Sequence, residues 1–133
     1  MLALKSETLI GLLFRKVAGD CMKITRVYEI GGFQNPHAVE AKRLYDTDNA
    51  EAIHMALKPG QSLKKHITPV DVFFYILEGK GIVEIANEKQ EVEKDMLIES
   101  PKNSPHLLRN TGQDTFRFLV VKVPKQKEPT KFP

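Results

Sequence analysis

Apolar and polar residues alternate in short runs through most of the chain from residue 23 onwards, with turn-forming residues between the runs. Examples are "KITRVYEI", "AIHMALKPG", "VDVFFYILEGKG", "MLIESP", "HLLRNTG" and "DTFRFLVVKVP". A period of two is typical of strands with one buried face. The run "IVEIANEKQEVEKD" predicts a hairpin that turns near Asn87 and Glu88. We therefore predict about eight or nine strands, joined mainly antiparallel, in an all-β sandwich or barrel.

A helical pattern occurs only near the amino terminus. Ser6 could cap such a helix and Gly19 could end it, because these residue types suit those positions. Its apolar face would carry Leu9, Ile10, Leu13, Phe14 and Val17. We expect residues 1–22 to be an N-terminal extension with a short amphipathic helix that packs on its own domain or on a neighbouring subunit. In the alternative interpretation Met22 is the natural start and residues 1–21 are an upstream extension.

The length and composition suit one globular domain, since the 133 residues are 41% hydrophobic and 28% charged. We place the barrel domain at residues 23–124 and a flexible, solvated tail at the basic segment 125–133. The 20 basic and 17 acidic residues are interspersed, so we expect no nucleic-acid binding. No apolar stretch is long enough to cross a bilayer, and the single Cys21 cannot form an internal disulfide. These features predict a cytoplasmic protein with no membrane association.

Two stretches set histidines at fixed distances from turn residues. In "GQSLKKHITPVDVFFYILEG", residues 60–79, five residues separate the first glycine from His66, and a second glycine closes the stretch. In "DMLIESPKNSPHLLRN", residues 95–110, a proline is followed by His106 and then by Asn110. These two motifs, in this order, resemble those of the cupin superfamily in its small single-domain form.

The resemblance implies a particular fold. It is an antiparallel double-stranded β-helix, the jelly-roll or cupin barrel, in which two sheets packed around one core hide most strand edges. The short N-terminal helix predicted from the residue pattern would precede this barrel. Asp95 and Asn103 stand where the family has two glycines in its second motif. Both residue types tolerate the backbone conformations that turns require.

The resemblance also implies a metal site, although this chain departs from the pattern. In metal-binding cupins, two histidines and a glutamate of the first motif and the histidine of the second hold one divalent ion. His66 and His106 match this set, whereas Thr68 and Val72 stand at the other histidine and the glutamate. A hydroxyl is a poor ligand for such ions and valine cannot coordinate at all. The site is therefore degenerate, and only His66 and His106 remain to hold Mn, Fe, Ni or Zn.

Three further residues could supply a missing metal ligand. Asp71 is adjacent to Val72, and strand alternation should direct its side chain to the opposite face. His54 should face away from Ile53 and Met55 for the same reason. His37 lies in a polar segment whose position the sequence does not define.

The same motifs predict a cavity inside the barrel. We expect it to be lined by His66, Thr68, Val72, Phe74 and His106, a mixture of polar groups and an apolar wall that suits a small organic ligand. Leu107 should face outwards, and a partner subunit often covers such a leucine. We therefore also expect a homodimer formed through an outer sheet face.

Three functions are consistent with these residues. The first is a binding protein for a small organic ligand, such as a sensor or carrier. The alternative is a divalent-metal-dependent cupin enzyme of the dioxygenase, isomerase or decarboxylase type, or a metal-free variant in which His66 or His106 is a general base. The third is a structural role in which the barrel mainly forms a dimer. A fold that hosts many activities does not choose among them.

Overall fold

The computed structural model describes residues 21–133, so the predicted helix at residues 6–19 lies outside the described part of the chain. A single 3-10 turn, Val27–Glu29, precedes the strands. No helix within residues 21–133 has the length and apolar character needed to span a bilayer. The nine strands of this part of the chain are β1 Glu40–Thr47, β2 Ala50–Leu57, β3 His66–Ile67, β4 Asp71–Glu78, β5 Lys80–Ile85, β6 Glu88–Glu93, β7 Leu97–Ser100, β8 Pro105–Arg109 and β9 Phe116–Val123.

The strands form two antiparallel sheets, which confirms the predicted double-stranded β-helix. One sheet has the order β1-β2-β9-β4-β7 and the other the order β3-β8-β5-β6. In β4 and β9 every second residue is buried, as expected for strands with one face on a core. The largest side chains with almost no exposure are Phe74, Phe116, Phe118, Leu57, Leu63, Ile76 and Leu108.

Three turn residues within the two motifs share one backbone conformation. Gly79 has φ of 79°, and a β-carbon there would overlap the carbonyl oxygen of Thr115. Asp95 and Asn103, at the two positions where the family has glycine, have φ of 71° and 66°. This left-handed region favours glycine, and Asn and Asp enter it more easily than other residues. Asp95 and Asn103 therefore adopt a backbone conformation that glycine favours, although neither position has a glycine.

Two segments differ from the predicted pattern. The alternating run "KITRVYEI" contains the 3-10 turn instead of a strand, since none of the strand pairs includes it. The polar segment after it contains β1, which pairs with β2 and is irregular between Arg43 and Tyr45. That irregularity interrupts the alternation that would have marked β1 in the sequence.

Candidate functional site

His66 on β3 and His106 on β8 lie directly opposite one another in an antiparallel pair. Opposed residues of such a pair project to the same face of the sheet, so both rings point into the barrel. Their Nε2 atoms are 3.1 Å apart and the rings meet edge to face. Both side chains are buried. The structure thus brings together the two histidines that the motifs singled out.

A directed chain of hydrogen bonds fixes the tautomers of this pair. His66 Nδ1 donates to the carbonyl oxygen of Lys64 at 2.6 Å, so Nε2 is the acceptor of the neutral ring. His106 Nε2 therefore donates to His66 Nε2, and His106 Nδ1 accepts from the Ser100 hydroxyl at 2.7 Å. Thr68 Oγ1 lies 3.4 Å from the same Nε2 of His106. Ser100 was not predicted from the sequence, because nothing local to it indicates a histidine partner.

Burial keeps both imidazoles uncharged. It lowers the pKa of His106 to about 3, with a further contribution from the neighbouring His66. Burial also lowers the pKa of His66 below its usual range. Two cations whose nitrogens meet at this distance would repel strongly, so the neutral forms agree with the hydrogen-bond chain.

His37 is a third imidazole beside this pair, and the sequence did not define its position. Its ring centroid is 4.6 Å from that of His66, and its Nδ1 accepts a hydrogen bond from the backbone amide of Lys64 at 2.9 Å. The peptide units of Lys64 therefore hold both rings, one through N–H and one through C=O. Burial, followed by the repulsion that a protonated His66 would exert, lowers the pKa of His37 to about 4.

The three imidazoles open onto a cavity of about 680 Å³, within the size range of small-molecule sites. Of the predicted lining residues, His66, Thr68, Phe74 and His106 contribute to its wall. Val72 does not, since it lies in the core beside the cavity. The apolar wall is formed instead by Ile53, Met55, Leu63, Phe74 and Val120.

Charged side chains gather at the open end of the cavity. Glu51 on β2 is buried and accepts a hydrogen bond from Arg43 Nε at 2.7 Å. Lys122 on β9 lies opposite Glu51 in register, with its Nζ 3.9 Å from Glu51 Oε1 and 2.9 Å from Gln126 Oε1. Burial lowers the pKa of Lys122, and Glu51 offsets part of this shift.

Residues of the carboxy-terminal segment 125–133, which the sequence predicts to be a flexible, solvated tail, line the cavity and form hydrogen bonds to the barrel. Backbone hydrogen bonds of 2.8 and 3.0 Å join Ile67 on β3 to Lys131 in both directions. Lys125 Nζ pairs with Asp46 at 2.6 Å. The Phe132 ring lies 5.9 Å from that of His37. Long-range pairing of this kind has no signature in a short basic sequence.

Two of the residues considered as additional metal ligands lie away from the imidazoles. Asp71 is exposed and accepts a hydrogen bond from the backbone amide of Lys102. His54 is buried on the other face of β2, where Arg117 Nη1 donates to its Nε2 at 2.7 Å. Its Nδ1 has no hydrogen-bond partner among the described residues.

Comparison with known proteins identifies the family. The Cupin_2 model, for the cupin domain, matches residues 53–122. The chain is a cupin. Over 62 residues it is 39% identical to Uncharacterized protein MJ1618 of Methanocaldococcus jannaschii, a match that covers 47% of this chain and 49% of that protein. The cupin therefore spans about half the length of this relative.

Solved structures share the barrel. TT1209 from Thermus thermophilus is 27% identical, with a TM-score of 0.68 over 77% of this cupin and 98% of that chain. The polyketide cyclase RemF from Streptomyces resistomycificus has a TM-score of 0.73 at 21% identity, over 84% of this cupin and 85% of that chain. At this level of identity, the likeness to RemF shows a shared fold and nothing further.

The side chains described by the structure do not by themselves form a complete transition-metal site. Two imidazole nitrogens that bind the same ion at bond lengths of about 2.0–2.1 Å are roughly 2.9–3.4 Å apart. The 3.1 Å between the Nε2 atoms of His66 and His106 falls in this range, so these two rings could serve as two of the ligands. Within residues 21–133, however, no group of three or more His, Cys, Asp or Glu side chains could hold an ion. His37 accepts at Nδ1, so its neutral ring carries the proton at Nε2 and cannot coordinate there. The donor set falls short of the three or four protein ligands that such ions need.

Proposed function

We propose that this cupin binds a small organic molecule inside its barrel, with His66 and His106 as neutral hydrogen-bonding groups instead of metal ligands. The observation that supports this most is the hydrogen-bond chain from Ser100 through His106 to His66, which fixes both tautomers beside a cavity of suitable size. Buried polar groups held in one geometry pre-organise a site and reduce the entropic cost of binding.

The pair offers a ligand two complementary contacts. A ligand hydroxyl between the rings could accept from His106 Nε2 and donate to His66 Nε2, in place of their mutual hydrogen bond. Phe74, Ile53 and Met55 would bury the apolar part of the same molecule. This division between a polar end and an apolar wall is usual for small-molecule sites.

A metal-free acid–base enzyme is the second candidate. Because His66 donates through Nδ1, its Nε2 lone pair points at His106 and could accept a proton from a bound substrate. His106 Nε2 could donate one, so the pair could move a proton between two positions of a ligand. The incomplete donor set gives no comparable support to a metal-dependent dioxygenase or decarboxylase.

We also propose that two copies associate through the outer face of the five-stranded sheet. The residues of β4 and β9 that alternate with the core include Phe73, Leu77, Leu119 and Val121, all of them partly exposed. Leu97 on the neighbouring β7 is 52% exposed. Light scattering of purified protein should give about twice the chain mass, and Leu119→Glu should reduce it to that of the monomer. A monomer mass for the unaltered protein would reject the dimer.

Thermal unfolding of EDTA-treated protein tests the binding proposal. A panel of small acids, sugars and aromatic compounds, including benzoate, glucose and phenol, should contain at least one member that raises the midpoint, since ligands that prefer the folded state stabilise it. His106→Gln should weaken that effect. His54→Gln, which alters a buried histidine on the opposite face, should leave it unchanged. A flat response across the panel would reject the proposal.

A further inference from the structure

Lys122 lies directly beside the position where the family has its metal-binding glutamate. In the five-stranded sheet the Cα partners of Lys122 are Glu51 on β2 and Val72 on β4. Val72 in turn is the Cα partner of Ser100 on β7, and Ser100 is the hydrogen-bond partner of His106. A strand-to-strand row of this kind shares one face of the sheet. The chain therefore lacks the family's carboxylate at this point and has an ammonium group next to it.

The carboxylate nearest to Lys122 is already engaged. Glu51 Oε2 accepts the 2.7 Å hydrogen bond from Arg43, whereas Lys122 Nζ is 3.9 Å from the other oxygen. Among the described residues, Lys122 donates one hydrogen bond, to the Gln126 side chain. An ammonium group has three donors, and the Lys122 side chain is 18% exposed. Lys122 thus has donor capacity left on the cavity side, where it forms part of the lining.

The charge of Lys122 acts on the imidazoles across the cavity. It contributes to the lowered pKa values of His37, His66 and His106. Asp46, another acid of the cavity lining, is paired with Lys125 at 2.6 Å. The cavity lining carries four basic side chains, Arg43, Lys122, Lys125 and Lys127, and three acidic ones, Asp46, Glu51 and Glu128. This positive excess opposes a bound cation and favours an anion.

We propose that Lys122 supplies the positive charge that a metal ion supplies in metal-binding cupins, and that the molecule held in this barrel is an organic carboxylate. This deepens the proposed function and rests on it. The ligand carboxylate would accept hydrogen bonds from Lys122 Nζ, and its apolar part would lie against Phe74, Ile53 and Met55. A charged donor to a carboxylate forms a stronger hydrogen bond than a neutral one. The ligand is thus a small monocarboxylate with an apolar body.

Matched acids and amides test the proposal by ligand-observed NMR on EDTA-treated, full-length protein. The probes are benzoate with benzamide and hexanoate with hexanamide, which differ in charge and are similar in size. Each acid should bind at least tenfold more tightly than its amide. Lys122→Met should remove this preference, Lys122→Arg should retain it, and the exposed Lys89→Met should behave as the unaltered protein.

The outcomes separate this inference from the function on which it rests. Equal affinities for acid and amide would overturn the inference and leave a small-molecule site in place. A preference for the acids that persists in Lys122→Met would overturn the role of Lys122. If neither acids nor amides bind, the proposed function fails, and the inference fails with it. The Lys122→Arg variant guards against loss of the fold, because it keeps the charge at the same position.

Discussion

His66 and His106 are Cα partners in the β3–β8 pair, and their Nε2 atoms are 3.1 Å apart, although 40 positions separate them in the chain. The antiparallel register alone sends both rings to the same side of the sheet. Their partners then fix the tautomers: a backbone carbonyl for His66 and the Ser100 hydroxyl for His106. Strand pairing therefore brings the two rings together, and the hydrogen bonds set their orientation.

The first prediction is that stability falls as the pH drops below 6.5. The pKa of His106 is about 3 in the folded protein, against about 6.5 in an unfolded chain. Because the folded pKa is lowered, the unfolded state binds the proton first, so this stability is complete above pH 6.5 and is lost as the pH falls from there towards 3. The contribution of His106 has a limiting slope of about 1.4 kcal/mol per pH unit.

Urea unfolding at pH 7.5, 6.5 and 5.5 measures this dependence. His106→Gln should show a shallower loss of the free energy of unfolding over the same range. The carboxylates titrate alike in both proteins, so the difference between the two curves isolates the histidine. Parallel curves would contradict the assignment of a neutral, buried His106.

The second prediction concerns Ser100, which we expect to be a positioning residue for His106. Ser100→Ala removes a buried hydrogen bond and should lower the free energy of unfolding by about 1–2 kcal/mol. It should also shift the tautomer equilibrium of His106, which the 15N chemical shifts of the ring report directly. Ser104→Ala, in the loop before β8, is the matched control. An unchanged tautomer in Ser100→Ala would show that the serine does not orient the ring.

The third prediction follows from the left-handed turns. Asn103→Ala should cost about 1 kcal/mol, because alanine has a β-carbon and lacks the polar side chain that lets asparagine adopt a positive φ. Asn103→Gly should be neutral or slightly stabilising. Gly79→Ala should be the most damaging of the three, since its β-carbon would also overlap the Thr115 carbonyl. Chemical denaturation gives the ranking. A stabilising Asn103→Ala would show that the turn adopts another conformation.

The fourth prediction concerns the carboxy-terminal segment. The amides of Ile67 and Lys131 bond to each other's carbonyls, so their hydrogen exchange should be at least about tenfold slower than that of the exposed Lys127. Phe132→Ala removes the ring beside His37 and should speed both exchange rates. If the amides of Ile67 and Lys131 exchange as fast as that of Lys127, the prediction is wrong and the segment is a flexible tail.

The sequence predicts the local elements of this fold well. The alternation in β4 and β9 and the hairpin turn between β5 and β6 depend on neighbouring residues, so they can be recognised from short windows. The motif spacing also identified the turns at Asp95 and Asn103, where the structure has positive φ. Within the described residues, these features cover most of the barrel.

Features set by distant pairing were not predicted. His37 reaches His66 because the Lys64 backbone bonds to both rings, and no local pattern signals such a bridge. The run "KITRVYEI" has the alternation of a strand but no strand beside it, and alternation alone does not supply a partner. Lys122 was not singled out, since its importance depends on its register with Val72 across the sheet.

The most direct test of the central claim, a barrel site that needs no metal, is elemental analysis of protein purified without an affinity tag. Mass spectrometry for Mn, Fe, Ni and Zn should find far less than one equivalent of any of them, because the described donor set stops at His66 and His106. About one equivalent of a single metal, lost in both His66→Ala and His106→Ala, would contradict the account.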